Sequence, residues 1–443
     1  MTAISLQARV MIQELAKEGL TNLAIGQRMH LSLYTVRKWR RRGRQAEDIS
    51  LLVSRMGRPS KGALSTFSAQ VVATLEQWRG QHPGWGPKTL VAELKRSEGF
   101  LGQSLPSIGT LSRWLKQTGR SKSYHKHSQL PAQPLSLAST CHEEWEMDAR
   151  GHEKIADAGV IALINVNDVY SKVKIISYPC WLGSKRANHH PTTLDYQTTL
   201  RLAFTQWGMP DRLAVDHDSV YFDNTSQSPF PTRFHLWLIA LGIFLSFGRM
   251  GQPKDQAMTE RSHQTWYHQV LEGQTFSNYQ TLFLALQDRL TFLNQQLPCA
   301  SLGEQPPLVA HPEASRPHRP YRPENEAELL DLSRVHAFLA QGKWFRKASN
   351  IGAVSLGSQV YCLGPAWPRS QVVITFDPDE RMLVFRSDAG LEVHKPLQGL
   401  SCQDLMGDNA QVTALPFFQL ALPFNWQDRL EFFWARVSTG TTL

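Results

Sequence analysis

The first 120 residues carry apolar side chains at helical spacing, in two groups of three segments. In the first group, Thr21 and Ser32 are placed to cap the second and third helices, and Val36 and Trp39 face inward from the third. The second group contains a Pro/Gly turn at 82–87. The first group predicts a helix-turn-helix module, and the second predicts a further set of three helices. The helices are expected at 6–18, at 22–29, after Ser32, and at 67–79, 87–96 and 106–117.

The middle of the chain alternates between extended and helical patterns. Three β-rich segments come first and predict an antiparallel meander, in which Asp148 follows the first strand and precedes a glycine turn. A later strand leads directly into Asp216, and Glu260 is expected in the second turn of the last helix, facing the sheet. The predicted strands are 144–147, 160–166, 172–178, 212–215 and 243–247, and the predicted helices are 192–207, 230–241 and one opened by Pro253 and Asp255.

Beyond residue 300 the chain changes character again. A Pro-rich segment, 305–323, is expected to be extended, and a helix is expected at 324–340. Short strands separated by turns follow, and their spacing predicts a small β-barrel, which could be purely structural. These strands are expected at 353–356, 359–363, 371–376 and 382–385.

The chain of 443 residues is long enough for three or four domains. The patterns predict a multidomain protein with all-α helix-turn-helix modules, an α/β core and a small C-terminal β-barrel. The expected divisions are a helix-turn-helix domain at 1–50, a linker at 51–66, a second helix-turn-helix-like domain at 67–122, the core at 140–300, a Pro-rich linker and helix at 301–342, the barrel at 343–400 and an unassigned tail at 401–443.

Positive charge is concentrated in the N-terminal part. Residues 1–130 contain 21 Lys and Arg against 7 Asp and Glu, a net charge of +14, whereas the whole chain carries +9 and the remainder −5. A basic block of this size is typical of a phosphate-binding surface. A solvated basic helix in a small bundle is the alternative. The outer face of the third helix would present polar and basic groups to a DNA major groove: Tyr34, Thr35, Arg37, Lys38, Arg40 and Arg41.

Two further segments are expected to contact DNA. Arg58 lies in a Gly-Arg-Pro sequence, where an extended arginine can fill a narrow minor groove; a plain flexible linker is the alternative. Two modules joined by a linker could bind a longer DNA site than either module alone. The groove-facing side of the second module would carry Ser107, Thr110, Arg113 and Lys116.

Three acidic residues stand in distinctive local sequences of the middle region. Asp148 lies in Glu-Met-Asp-Ala-Arg-Gly, Asp216 lies in Ala-Val-Asp-His-Asp-Ser, and Glu260 ends Gln-Pro-Lys-Asp-Gln-Ala-Met-Thr-Glu. Two strands and a helix could aim these carboxylates at one point, and Mg²⁺ prefers oxygen ligands of this kind. Taken singly, each acid could instead be a turn residue, a helix cap or a solvated helix position.

This ordered set resembles the DDE triad of retroviral-integrase-like transposases, of the insertion-sequence type, over roughly residues 145–297. The resemblance implies an RNase H-like fold for the α/β core. It also implies that Asp148, Asp216 and Glu260 hold two Mg²⁺ ions, which Mn²⁺ can replace, with Asp148 bridging both. Two such ions, about 3.5–4 Å apart, supply the activated nucleophile and stabilise the leaving oxygen in an in-line phosphoryl transfer.

The function implied is that of a DNA transposase, which binds element ends, cleaves them to give 3′-hydroxyls and joins these to target DNA by transesterification. The implied partners are double-stranded DNA and further copies of the chain, in the cytoplasm of a prokaryote and associated with its nucleoid. The alternative is a catalytically inactive, transposase-derived DNA-binding regulator. A general RNase H-like nuclease would give no reason for two recognition modules.

Cysteine spacing and apolar runs exclude other classes. The five cysteines are scattered and form no Cys-x-x-Cys pair, which argues against a disulfide framework and against a zinc site. The longest apolar run, 234–247, contains Gly242 and is too short to cross a bilayer, so no membrane partner is expected. The sequence contains no Gly-x-x-x-x-Gly-Lys motif, so ATP hydrolysis is not expected.

Overall fold

The computed structural model describes residues 4–44, 52, 62–121, 138–155, 159–183, 190–223, 226–248 and 257–407. The chain divides into two compact units. The first comprises Met1–Phe67 and Thr110–Ser121, and the second comprises Ser68–Gly109 and Lys122–Leu443. Arg58 and the tail beyond 407 lie outside the described residues.

Three short helices form the described part of the first unit up to residue 44. They are α1 (Leu6–Lys17), α2 (Asn22–Arg28) and α3 (Leu33–Arg44). The side chains of Ser5 and Thr21 accept hydrogen bonds from the first turns of α1 and α2, which fixes where each helix begins. The apolar stripes meet in one core, made by Ile12, Leu15, Ile25, Val36, Trp39 and Leu52. The predicted helical N-terminal region is therefore confirmed.

A five-stranded mixed sheet is the centre of the second unit. Its strands are β1 (Glu144–Ile155), β2 (Gly159–Asp168), β3 (Lys174–Gly183), β4 (Arg212–Val215) and β5 (Phe244–Phe247), in the order β3-β2-β1-β4-β5. The first three strands pair antiparallel, whereas β4 runs parallel to β1 and β5 parallel to β4. The predicted meander followed by two helix-connected strands is confirmed.

Helices cover both faces of this sheet. They are α7 (Thr193–Trp207), α8 (Arg233–Ala240), α9 (Ala257–Trp266), which continues as a π-helical turn over Tyr267–Leu271, and α10 (Tyr279–Gln295). On β2, Ile161 and Leu163 pack with Trp266 and the leucines of α10, whereas Ile164 and Val166 join the core on the α7 face. Because successive side chains of a strand point to opposite faces, a strand covered on both sides has a continuous apolar sequence.

Strand β1 is longer than its sequence indicates. It continues through Asp148 and Gly151 to Ile155, and its pairing with β2 shifts register between Arg150 and Glu153. A glycine inside a strand often marks such a bulge rather than a turn. The predicted glycine turn is wrong, and Asp148 lies within the strand instead of at its end.

Helices α4 (Ala69–Gln81) and α5 (Pro87–Arg96) belong to the second unit, and the division between units falls within α6 (Ile108–Gln117). The indole Nε1 of Trp85 donates to the carbonyl of Gln269, at 3.3 Å, and Arg289 of α10 donates to the carboxylate of Glu93. Side chains that directly precede and lie within α5 therefore bind the helices beside the sheet.

The segment after α10 is only partly extended. Short helices α11 (Pro307–Ala310), α12 (Glu326–Leu329) and α13 (Leu332–Ala340) occur along it. Proline suits the first position of a helix, so the prolines begin helical turns at Pro307 and Pro312 instead of keeping the whole segment extended. The helix expected at 324–340 is interrupted before Asp331, whose side chain caps α13.

The C-terminal strands form two separate sheets. The strands are β6 (Lys343–Lys347), β7 (Ala353–Leu356), β8 (Gln359–Cys362), β9 (Gln371–Asp377), β10 (Met382–Ser387) and β11 (Glu392–Pro396), followed by α14 (Cys402–Met406). A four-stranded antiparallel sheet has the order β11-β10-β9-β6, and a hairpin pairs β7 with β8. The sequence predicted a small β-barrel, whereas in the part of the chain that the structure describes these strands form no closed barrel.

This C-terminal region packs directly on the α/β core. Trp344 of β6 contacts Phe230, with ring centroids 4.8 Å apart, and its indole Nε1 donates to the carbonyl of Pro229 at 3.1 Å. Within the described ranges, no helix has the length and apolar character needed to cross a bilayer.

Candidate active site

Strand register brings Asp148 and Asp216 to matching positions on neighbouring strands. The parallel pairing of β1 with β4 matches Glu144 with Arg212 and Glu146 with Ala214. Continued by two residues, this register sets Asp148 opposite Asp216, which directly follows β4. Alternate residues of a strand share a face, so Glu146 and Asp148 lie on the same side of β1.

The electrostatics of these carboxyls reflect their proximity. Burial, then the charge of Asp216 and those of Asp218 and Glu146, raise the pKa of Asp148 to about 7, although the backbone N–H of Ala149 opposes this shift. Burial also raises the pKa of Asp216, the backbone N–H of Asp218 opposes this shift, and the charge of Asp218 adds to it. Desolvation and like charges both disfavour ionised carboxylates. The cluster is therefore short of positive charge.

Helix α9 lies against this cluster through His263. Its Nε2 atom is 3.8 Å from Oδ2 of Asp148, too long for a hydrogen bond, and it is buried without a hydrogen-bond partner. Burial, and then the charge of Arg150, lower the pKa of His263 to about 4, so the imidazole is neutral at pH 7. Arg150 itself pairs with Glu153, with Nε and Oε1 2.9 Å apart. Neither group supplies the missing positive charge to Asp148.

Glu260 is the fourth residue of the described helix α9 and is exposed. It stands in the first turn of this helix. The sequence predicted that Glu260 would lie in the second turn and face the sheet. Pro253 and Asp255, predicted to open the helix, lie outside the described residues. Residues three apart share a helix face, so Glu260 lies on the same face as His263, one turn away. The structure thus brings together Asp148 and Asp216, with Glu260 on the adjoining helix.

A chain of polar contacts holds α9 to the sheet. Lys174 of β3 donates from Nζ to Oγ of Ser262 at 3.3 Å, and Ser262 donates to Oδ1 of Asn167 at 3.0 Å. Burial lowers the pKa of Lys174 to about 8. The sequence does not indicate these contacts, because the three residues lie on separate elements. His263 could have been found, because it follows Glu260 at helical spacing.

The chemistry of the donor set fits a divalent cation. Asp148 and Asp216 offer carboxylate oxygens, the ligands that Mg²⁺ and Mn²⁺ prefer. Their pKa values are both raised, so the ionised forms are disfavoured without a cation, and the unpartnered Nε2 of His263 is a further polar atom 3.8 Å from Asp148. The site residues therefore fit one or more divalent cations.

The predicted DNA-contacting residues of α3 fall into two groups. Tyr34, Arg37, Lys38 and Arg41 are exposed. Thr35 is half-buried, and its hydroxyl lies 2.8 Å from that of Ser32 at the start of the helix. Arg40 is half-buried and donates to Oδ1 of Asn22 at 2.8 Å, which attaches α3 to α2. Thr35 and Arg40 thus take part in contacts that support the helices.

The residues predicted on the second module lie on or beside α6. Ser107, Arg113 and Lys116 are exposed, and Thr110 is half-buried. Thr110, Arg113 and Lys116 belong to α6, whose apolar side is formed by Leu111, Trp114 and Leu115, and Ser107 directly precedes this helix.

Comparison with known proteins gives weak structural likenesses. No protein-family model matches the sequence. The HTLV-2 integrase catalytic core domain in complex with magnesium matches with 14% identity and a TM-score of 0.29, over 39% of this chain and 98% of that chain. The BIV integrase catalytic core matches with 17% identity and a TM-score of 0.27, over 39% and 95%.

A larger assembly also matches. The simian T-cell lymphotropic virus intasome, in complex with PP2A regulatory subunit B56 gamma, has 13% identity and a TM-score of 0.33, over 71% of this chain and 97% of that chain. TM-scores below 0.5 transfer no activity and no residue role to this chain.

Proposed function

We propose that this chain is a DDE transposase of the insertion-sequence type, a polynucleotidyl transferase that cleaves DNA at element ends and joins those ends to target DNA. The observation that carries the proposal is the matched register of Asp148 and Asp216 on parallel neighbouring strands. A surface carboxylate has no need of this arrangement, in which the charge of Asp216 helps to raise the pKa of Asp148 and burial raises the pKa of both groups. Glu260, on the helix that contacts Asp148 through His263, is the third acid.

The topology of the sheet supports an RNase H-like core. Three antiparallel strands are followed by two strands parallel to the first, and the order is β3-β2-β1-β4-β5. Asp148 lies on the central strand and Asp216 follows its parallel neighbour. In open sheets, sites form beyond the carboxyl ends of parallel strands where connections diverge. The carboxyl end of β4, where Asp216 follows the strand, is such a place.

Asp148, Asp216 and Glu260 would hold two Mg²⁺ ions, or Mn²⁺ in their place. Bound there, the ions would supply positive charge to the attacking and leaving oxygens. The chain's own contribution is to keep the carboxylates close before binding. The contacts among Lys174, Ser262 and Asn167 hold α9 on the sheet, which limits how far Glu260 can move.

The reaction proposed has two steps that balance. In the first, a water oxygen attacks phosphorus, the bond from phosphorus to the 3′ oxygen breaks, and a proton passes from the water to the released 3′ oxygen, which leaves a 5′-phosphate and a 3′-hydroxyl. In the second, the oxygen of that 3′-hydroxyl attacks a phosphorus of target DNA and displaces the target's own 3′ oxygen, which takes up the proton that the attacking hydroxyl loses. Neither step requires ATP or a covalent bond to the protein, and both need the two reacting oxygens in line with phosphorus.

The N-terminal helices would supply recognition of the element ends. The exposed basic residues of α3 suit a major groove, and the net charge of +14 over residues 1–130 suits phosphate binding. The C-terminal sheets, for which a small barrel was expected, would contact DNA or another copy of the chain. Double-stranded DNA and a homo-oligomer assembled on it are the proposed partners.

The test uses a duplex that contains the genomic sequence flanking the gene, with Mg²⁺ or Mn²⁺. Wild type is expected to nick and join this DNA, and Asp216→Asn is expected to bind it but lose at least about 10³-fold in rate, because that carboxylate acts in the transition state. Asp211→Asn is the matched control, since Asp211 is a partly exposed carboxylate near the start of β4 that pairs with His318.

Equal loss in Asp211→Asn and Asp216→Asn would point to damage to the fold around β4 and would contradict the proposed role of Asp216. If all three proteins bind the duplex and none cuts it with either metal, the DNA-binding regulator becomes the better account.

A further inference from the structure

A second group of metal-binding side chains lies away from the candidate active site. Cys141 precedes β1, whereas His311 and Glu313 follow α11. One ligand atom from each residue lies within 4.8 Å of the other two. The cysteine and the glutamate are 172 residues apart in sequence, which is why the cysteine spacing alone argued against a zinc site.

The distances within this cluster are close to those of a tetrahedral metal site. The Sγ atom of Cys141 is 3.6 Å from Oε1 of Glu313. Tetrahedral zinc, with bonds of about 2.3 Å to sulfur and 2.1 Å to oxygen, separates such ligands by roughly 3.6 Å. Nδ1 of His311 is 2.9 Å from the same oxygen, about 0.5 Å less than a zinc site requires. Glu313 is 54% exposed, so its side chain can move by that amount.

The backbone around the cluster is held in place by buried contacts. His142, next to Cys141, approaches the carbonyl of Ala314 with Nε2 at 2.7 Å, and Trp145 Nε1 donates to His142 Nδ1 at 3.1 Å. The indole can only donate, so His142 carries its proton on Nε2 and donates it to Ala314. His142 also has a positive φ of 62°, which its backbone bond to Asp168 Oδ1 at 2.8 Å helps to hold.

This support links the two segments independently of the cluster itself. Ala314 is fully buried and belongs to the short turn Pro312–Ser315, which directly follows His311. The segment before β1 and the segment after α11 are therefore already fixed to each other when a cation arrives. A preformed geometry of this kind lowers the cost of ordering the ligands.

We propose that Cys141, His311 and Glu313 bind a single Zn²⁺ ion, with a fourth position open to solvent. Sulfur, imidazole and carboxylate are the donors that zinc takes in proteins, whereas Mg²⁺ prefers oxygen alone. The site would fasten the segment that leads into β1 to the segment that leaves α10 and α11. It differs in chemistry from the three-carboxylate site and does not depend on the proposed transposase activity.

The test uses the full chain, freed of metal with a chelator and titrated with Co²⁺ as a spectroscopic substitute for zinc. Wild type is expected to develop the near-ultraviolet charge-transfer absorption of a cobalt–thiolate bond, saturating at one ion per chain, and Zn²⁺ is expected to abolish it. Cys141→Ser should lose this absorption. Cys402→Ser is the matched control, because Cys402 is also half-buried and should leave the absorption unchanged.

Glu313→Gln provides a second variant that tests the same site without touching a buried side chain. It should keep the charge-transfer absorption and weaken zinc binding by at least about 10-fold, since loss of even an outer-shell partner costs 10–100-fold. Circular dichroism would show that both variants fold.

The proposal is overturned if folded wild type shows no thiolate absorption with Co²⁺, or if the absorption persists in Cys141→Ser. Unchanged zinc affinity in Glu313→Gln would show that Glu313 is not a ligand, and the two remaining side chains would be too few to hold the ion. None of these results depends on DNA cleavage, so failure of this proposal and failure of the transposase proposal are distinguishable.

Discussion

At the scale of single residues, the carboxyl group of Asp148 affects both the stability of the fold and the binding of a cation. Its pKa in the folded chain is about 7, far above the ordinary aspartate value. Folding therefore takes up a proton at this group between about pH 4 and pH 7. The stability associated with that proton is complete below about pH 4 and is lost as the pH rises through 7. The fold thus tolerates an unfavourable charge where a cation would bind.

Replacement of Asp148 by asparagine should stabilise the metal-free protein at high pH. In a chelator at pH 8, Asp148→Asn is expected to raise the free energy of unfolding by a few kcal/mol at most, at about 1.4 kcal/mol per unit of pKa shift. At pH 5 the gain should be small, because the wild-type carboxyl is then protonated. Urea unfolding followed by circular dichroism at both pH values measures this difference.

The same variant should lose its response to metal. Added Mg²⁺ should stabilise wild type at pH 8 and leave Asp148→Asn unchanged, because binding to the folded state alone raises stability. A variant that is less stable than wild type at pH 8, or equally stabilised by Mg²⁺, would contradict the charge deficit inferred for the site.

The buried pair of Arg201 and Glu326 is a second residue-scale feature. Both side chains are fully buried, with Nε and Oε2 2.6 Å apart, and Trp237 and Tyr321 also donate to Glu326. Glu326→Gln would leave the guanidinium without its counter-charge, so the free energy of unfolding should fall by about 3–5 kcal/mol. Glu328→Gln is the control, because Glu328 is exposed on the same helix. Equal effects in denaturant unfolding would contradict this account.

At the scale of elements, local signals fixed some boundaries well. The helix predicted at 192–207 is α7, which Thr192 caps and which ends at Gly208 with a φ of 78°. Strand β4 was predicted with the correct bounds because its alternation is short and followed by polar residues. These elements carry their own start and stop signals, so a single sequence was enough.

The bounds of other elements depend on contacts with distant segments, which the sequence does not show. Strand β1 passes through Gly151 because β2 pairs with it, and the helix expected at 324–340 breaks where Asp331 caps a new one. The C-terminal strands have the alternation of a barrel, yet closure depends on pairing between distant strands. Long-range pairing decided each of these outcomes.

The candidate site shows the same division. Motif and order were enough to single out Asp148, Asp216 and Glu260. Contacts of Lys174 with Ser262 and of His263 with Asp148 come from folding, as does the approach of Cys141 to His311. The roles of the three acids remain predictions from the sequence, to which the strand register adds support.

At the scale of the whole molecule, charge separates the chain into two parts. The first 130 residues carry +14 and the remainder −5. Arg37 and Lys38 are exposed on α3, so the double variant Arg37→Ala, Lys38→Ala should weaken DNA binding at all sequences. It should also make the negative slope of log K against log salt shallower by about 2, one for each lost phosphate contact.

Lys17→Ala is the control for this measurement, because Lys17 is exposed at the end of α1. Fluorescence anisotropy with a labelled duplex, at several salt concentrations, gives both affinity and slope. An effect no larger than that of Lys17→Ala would indicate that α3 is a solvated helix rather than the DNA-binding face.

Binding of Mn²⁺ tests the central claim most directly, because it needs no knowledge of the DNA sequence. The free ion would be followed by electron paramagnetic resonance in a Cys141→Ser background, which removes the thiolate from the second proposed site. The account predicts Mn²⁺ binding that is retained in Asp211→Asn and lost in both Asp148→Asn and Asp216→Asn. The same Mn²⁺ binding in all four proteins would contradict a shared cation site between these two carboxylates.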